Sequence, residues 1–177
     1  LQAGTPRPAL VLECTVNAAG EVLQCTPRLA RVQIAANTTY DAVEQALHDG
    51  KIPMLEAALA AAMVLRQRRI QEGAVITEQP DPYISLHGDQ PEVRIHTPAR
   101  TPNAQTIVSE FMILANSALA ALAVERHIPL FFRTQNIGLS PDCAGVWSDP
   151  HDIFRILGRM GPSLLECVPR RHATIAA

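Results

Sequence analysis

Lysine is almost absent: Lys51 is the single one, and every other basic side chain is arginine. Aromatic residues make up only 4% of the 177 residues, so alanine, leucine, valine and isoleucine must fill the interior. No Gly-rich loop follows a strand-like segment, which argues against a dinucleotide or P-loop phosphate site. No Gly-x-Ser-x-Gly nucleophile elbow is present. The four cysteines, Cys14, Cys25, Cys143 and Cys167, show neither CxxC spacing nor the Cys/His clustering of a zinc site. The net charge of −2 gives no global attraction to nucleic acid or to an anionic membrane. No secretion signal is visible. The chain opens on Leu1 rather than Met and stops at "PRRHATIAA"; both ends read as cut from something longer.

What is present is a globular composition, 47% hydrophobic and 18% charged, enough to bury a core in one domain or one large piece of one. The arginine bias has two readings, a GC-rich genome or phosphate contact through the planar guanidinium, and composition does not separate them.

Residues 8–34 read as two strands around the turn "NAAG". Cys14 and Cys25 flank that turn and are placed to face one another, as a disulfide or as two thiols. Pro27 suggests a bulge or an edge. In residues 37–50, Thr38 or Thr39 can cap a helix that Gly50 ends. A longer helix is expected from Pro53, with Leu55, Ala58, Leu59, Ala62 and Leu65 as its apolar stripe, Arg66, Arg68 and Arg69 in its last turns and Gly73 just beyond it. Those arginines suit the helix dipole; they also form a basic patch that could meet phosphate. Residues 83–97 alternate as a second hairpin. Thr101 and Pro102 then open a helix expected to reach Glu125 or Arg126. From residue 111 to 124 it is almost wholly apolar, which predicts burial all round. The run holds Asn116 and Ser117 and is too short and too polar for a membrane span. After "IPLFFRTQ" the chain reads as loop until Asp149 and Pro150 start one more amphipathic helix. Hairpins followed by helices, twice over, predict a mixed α/β (α+β) assembly of antiparallel hairpins packed with a long buried helix.

The order of motifs adds a family. "SEFMILANSALA" resembles the long-helix segment of the catalytic domain of the ribonuclease II family, the RNB domain: Glu110, Met112, Ala115 and Asn116 match its Glu-x-Met-x-x-Ala-Asn pattern. In the same order, "PALVLECTVNAAGEV" resembles its Pro-Ala-Leu strand and turn, "TTYDAVEQAL" its "TYDEV" helix start, and "RRIQEGAVI" its "R-x-x-GA". "IPLFFRTQ" is similar to the Pro-Leu-x-x-Arg-x-Gln of bacterial branches, and "HATIAA" stands where members show His-x-Gly-Leu-Gly-Leu. Thr174 and Ala176 replace both of those glycines.

The resemblance implies a partial RNB domain over residues 1–177, part of a cytoplasmic, bacterial enzyme that hydrolyses single-stranded RNA from the 3′ end to nucleoside monophosphates. It implies a Mg²⁺ cofactor whose aspartate ligands lie upstream and an arginine motif downstream, so the 177 residues alone are expected to be inactive. It implies that Tyr40 and Glu110 line the site of the terminal nucleotides and help tell ribose from deoxyribose. A carboxylate accepts from the 2′-OH, and a phenol donates, accepts or stacks. Arg69, Arg133, Gln135 and His172 are the further RNA-contact candidates. Asn116 is expected to bond a neighbouring loop, and Ser117 to be a small packing residue. Neither a membrane nor a dinucleotide is an expected partner. The alternative is a non-catalytic RNA-binding or scaffold protein on the same fold; a helical interaction domain unrelated to RNA would show one face of the 102–125 helix exposed.

Overall fold

The computed structural model describes residues 2–78, 83–87, 92–96, 101–137, 141–170 and 172. Strand β1 (Arg7–Val16) pairs antiparallel with β2 (Val22–Val32), and Cys14 stands directly opposite Cys25. Gly20 closes the turn at φ 79°, a conformation that glycine adopts without steric cost. The register shifts at Thr15/Val16, so Pro27 marks no bulge; it pairs normally with Leu12. The two strands bond only to each other among the described residues, leaving Pro27 on an edge.

Helix α1 (Tyr40–Asp49) begins where Thr39 Oγ1 accepts from the Ala42 N–H and ends at Gly50 in the left-handed region. Helix α2 (Pro53–Gln71) starts on its proline, and Gly73 follows its end with φ 98°. The second hairpin is β4 (Tyr83–His87) with β5 (Glu92–His96). Its cross-strand apolar pairs Ile84–Ile95 and Leu86–Val93 are exposed. Helix α3 (Pro102–Glu125) has the expected bounds, but Thr101 makes no side-chain cap bond.

Four strands lie where the sequence reads as loop or predicts nothing. β3 (Val75–Thr77) pairs in parallel with β7 (Gly145–Trp147), and β6 (Phe132–Ile137) pairs antiparallel with β8 (Met160–Glu166). A 3₁₀ turn (Pro141–Cys143) precedes β7. Helix α4 (Pro150–Leu157) is capped by Asp149, which accepts from the N–H groups of His151 and Asp152. Its Ile156 joins Val75 and Cys143 in a small core that Trp147 and Met160 flank. The assembly is mixed α/β, as expected, with four two-stranded sheets among the described residues.

The expectation of all-round burial for α3 is not met. Ala104, Thr106, Ile107, Glu110 and Ala123 are buried, while Val108, Phe111, Met112 and Val124 are exposed. Apolar composition alone does not say which side of a helix has a neighbour. Asn116 is also exposed, and its amide bonds no described residue, so the expected tie to a neighbouring loop is absent among them. Ser117 is half-buried. The expectation that this run is too short and too polar for a membrane span is not met: the whole 24-residue helix α3 is, by length and composition, long and apolar enough to cross a membrane. In this structure its buried side packs on α1 and α2.

Candidate RNA-contact site

The two long helices meet through polar rungs. Arg69, in the last turn of α2, points its guanidinium at Glu110 of α3. Its Nε donates to Glu110 Oε2 at 2.9 Å and its Nη2 to Oε1 at 2.5 Å. The side chains are 11% and 3% exposed. Two parallel N–H···O bonds on a carboxylate are the geometry that makes arginine the residue for such a pair. One turn earlier on both helices, Arg66 Nη1 donates to Thr106 Oγ1 at 3.0 Å, and its Nη2 pairs with Glu78. Arg66 and Arg69 are three apart on α2, Thr106 and Glu110 four apart on α3, so each helix presents both partners on one face. Arg68 Nε bonds Glu72 at 2.8 Å. The basic run of α2 therefore satisfies its own neighbourhood: each of its three arginines has a carboxylate partner.

The start of α3 is held by a residue that sequence reasoning missed. Glu44 of α1 accepts from the Ala104 N–H at 2.9 Å and from Asn103 Nδ2 at 2.8 Å. A carboxylate suits the partial positive charge of a helix N-terminus. It replaces the cap that Thr101 leaves unmade. Locally Glu44 reads as one more charge on α1; its partner lies 60 residues on.

Tyr40 is the first residue of α1 and is 48% exposed, so its phenol is available to solvent or ligand. Glu110 and Arg69 are the expected contact residues that the fold brings together, and they meet each other. Arg133, Gln135 and His172 form a second group around β6 and β8. Arg133 is exposed, and its Nε donates to Ser163 Oγ at 3.2 Å. Gln135 Nε2 donates to the Gly161 carbonyl at 2.7 Å. Between them Thr134 is buried, its Oγ1 2.5 Å from Glu166 Oε2. His172 is half-buried; burial, and then the charge of Arg133, hold its imidazole below the usual histidine range. Thr174 and Ala176 lie outside the described residues.

An open groove of about 620 Å³ runs between α1, α2 and the start of α3, lined in part by Asp41, Glu44, His48 and Glu56. Three carboxylates make it a poor path for a phosphate backbone. Among the described residues no three His, Cys, Asp or Glu side chains converge as a metal site. The described part of this chain does not fit a Mg²⁺ centre, and no chemical step is derived through one.

The sequence matches the RNB domain over residues 1–150. Solved structures share its fold, three of them as follows. An active-site mutant of the Dss1 exoribonuclease from Candida glabrata superposes with a TM-score of 0.82 at 22% identity, covering 98% of this chain and 27% of that one. Mycoplasma genitalium RNase R in complex with ribose-methylated single-stranded RNA gives 0.77 at 16% identity, covering 99% and 34%. The same enzyme in complex with double-stranded RNA gives 0.80 at 16% identity, covering 99% and 38%. The chain thus spans well under half the length of these proteins. No curated protein sequence matches it at a significant level. With the match extending over most of its length and the motifs in family order, the chain belongs to the RNB domain family.

Proposed function

We propose that this chain is part of a Mg²⁺-dependent 3′→5′ exoribonuclease that degrades single-stranded RNA to nucleoside monophosphates, and that it supplies substrate-channel and ribose-recognition residues. The observation that carries the reading is the RNB match over residues 1–150. The RNA held by the structurally similar RNase R supports single-stranded RNA as the ligand class. The metal-binding aspartates and the downstream arginine motif belong to parts of the parent protein outside these residues, so the segment by itself is inactive. A cytoplasmic, bacterial setting belongs to the same proposal, supported by the likeness of "IPLFFRTQ" to bacterial members.

Within that reading the Arg69–Glu110 fork has a mechanical role. A free glutamate would sample several rotamers, whereas a carboxylate held by two bonds has one orientation. Arg69 engages two of its lone-pair sites, and about two others are not committed to that guanidinium. We assign those to the 2′-OH of a terminal nucleotide, which has to reach a carboxylate only 3% exposed in this structure, and Tyr40 to a second polar or stacking contact. A deoxynucleotide leaves them unpaired, which costs on the order of 1–3 kcal/mol per buried group. Arg133 and His172 contact the strand without reading sequence. The exposed side of α3, with Val108, Phe111 and Met112, is covered by the rest of the domain in the parent protein.

The test is direct. The parent protein is given Mg²⁺ and 5′-labelled single-stranded RNA. Progressive shortening from the 3′ end, with release of nucleoside 5′-monophosphates, is expected. Binding without shortening would instead favour a non-catalytic RNA-binding protein on this fold.

A further inference from the structure

The β1–β2 hairpin carries a feature that RNA degradation does not use. Cys14 and Cys25 are directly opposed in the antiparallel register. Cys14 Sγ stands 3.0 Å from Cys25 Sγ, and both residues are half-buried. Directly opposed residues of an antiparallel pair have Cα atoms roughly 4.5–5.5 Å apart. That lies inside the roughly 4.4–6.8 Å a disulfide spans, so a bond forms here without moving the backbone. Closing the sulfurs to about 2.05 Å takes a side-chain adjustment only. Cys143 is buried and Cys167 exposed, and the thiol-to-thiol contact is between Cys14 and Cys25.

The position gives the bond a consequence. Among the described residues β1 and β2 have no third strand, and an isolated two-stranded hairpin is marginal in water. Its turn sits on α2: a Cβ added to Gly20 would lie 3.1 Å from the Val64 carbonyl oxygen and 3.3 Å from Cβ of Arg68. Arg68 is the neighbour of Arg69, whose guanidinium holds Glu110. The hairpin is thus a support of the helix end that carries the candidate site.

We infer that Cys14 and Cys25 are a thiol pair that a small-molecule disulfide converts into a reversible cross-strand disulfide, locking the hairpin that seats on α2. One cysteine thiolate attacks a sulfur of the small disulfide and expels one small thiol, giving a mixed disulfide. The other cysteine thiolate attacks the protein sulfur of that intermediate and expels the second small thiol. The net change is two protein thiols and one small disulfide giving one protein disulfide and two small thiols; the protein is oxidised by two electrons and the small disulfide reduced by two. The Cys14 thiol is pushed up to about 11 by burial and by Cys25. It stays protonated at neutral pH, so the exchange is slow and speeds up as the pH rises.

The experiment equilibrates the protein, in a Cys167→Ser background, with oxidised or reduced glutathione, then alkylates and digests it without reduction. The expected product after oxidation is a peptide pair joined through Cys14 and Cys25, with an intact mass lower by two hydrogens. Reduced glutathione reverses both, and the oxidised form unfolds at a higher temperature than the reduced form. A Cys25→Ser variant gains neither the cross-link nor the thermal shift; if it does not fold, the peptide map of the Cys167→Ser protein decides alone. Oxidation that leaves both cysteines alkylated, or gives each a separate glutathione adduct, overturns the inference.

Discussion

Arg69 and Glu110 meet across the α2–α3 interface as a two-bond fork, with side chains 11% and 3% exposed. Neither charge has bulk water to fall back on. Removing Arg69 strands the Glu110 carboxylate, at a cost of about 3–5 kcal/mol. Replacing both by apolar side chains of similar volume removes the desolvation penalty together with the attraction and is often neutral or stabilising. The prediction is that Arg69→Met and Glu110→Leu each lower the denaturant midpoint sharply, whereas the double variant recovers most or all of it. A double variant as unstable as the sum of the singles would mean that the two residues act independently.

Glu44 gives a smaller and separate prediction. Its carboxylate takes one of the orphan donors at the start of α3 and sits at the positive end of the dipole. Glu44→Ala should cost roughly 1 kcal/mol, as the loss of a side-chain cap does elsewhere. Urea unfolding of the two proteins measures it. Thr101→Ala, which breaks no side-chain cap bond, should lose nothing through capping.

The pH response follows from His172. Its imidazole is held below the ordinary value near 6.5 by burial and by the charge of Arg133. The unfolded chain therefore binds a proton before the folded one does. The neutral histidine's contribution to stability is fully present above about pH 6.5 and is lost as the pH falls through the depressed folded value. An NMR titration should place the His172 midpoint below that of an exposed histidine, and Arg133→Ala should raise it part of the way, since burial remains. A His172→Gln protein should lose less stability on acidification than the wild type.

Much of the local structure is legible in the residues that start and stop it. Thr39 and Gly50 bound α1, Pro53 opens α2 with Gly73 just beyond its end, and Asp149 with Pro150 opens α4. Each is a local rule about orphan donors or a fixed φ. Both hairpins follow from short turns between β-suited runs. What escapes is non-local. β3 is three residues long and finds its parallel partner β7 far along the chain. β6 and β8 each pair across an intervening helix. Nothing in the spacing of Arg69 and Glu110, 41 residues apart, says that they meet. The same holds for α3: its apolar run predicts burial, but which face is covered depends on neighbours that composition does not reveal. Family motifs, read in order, marked Glu110; only the structure gives it a partner.

In the proposed function this segment reads the sugar of a 3′ terminal nucleotide within an exoribonuclease. The measurement that tests it most directly compares the parent protein and its Arg69→Met/Glu110→Leu double variant on matched oligomers ending in ribonucleotides or deoxyribonucleotides. The parent should degrade the ribo-ended strand and stall on the deoxy-ended one. The folded double variant should narrow that difference by roughly tenfold or more, the equivalent of about 1.4 kcal/mol. Undiminished discrimination by a normally folded double variant would contradict it.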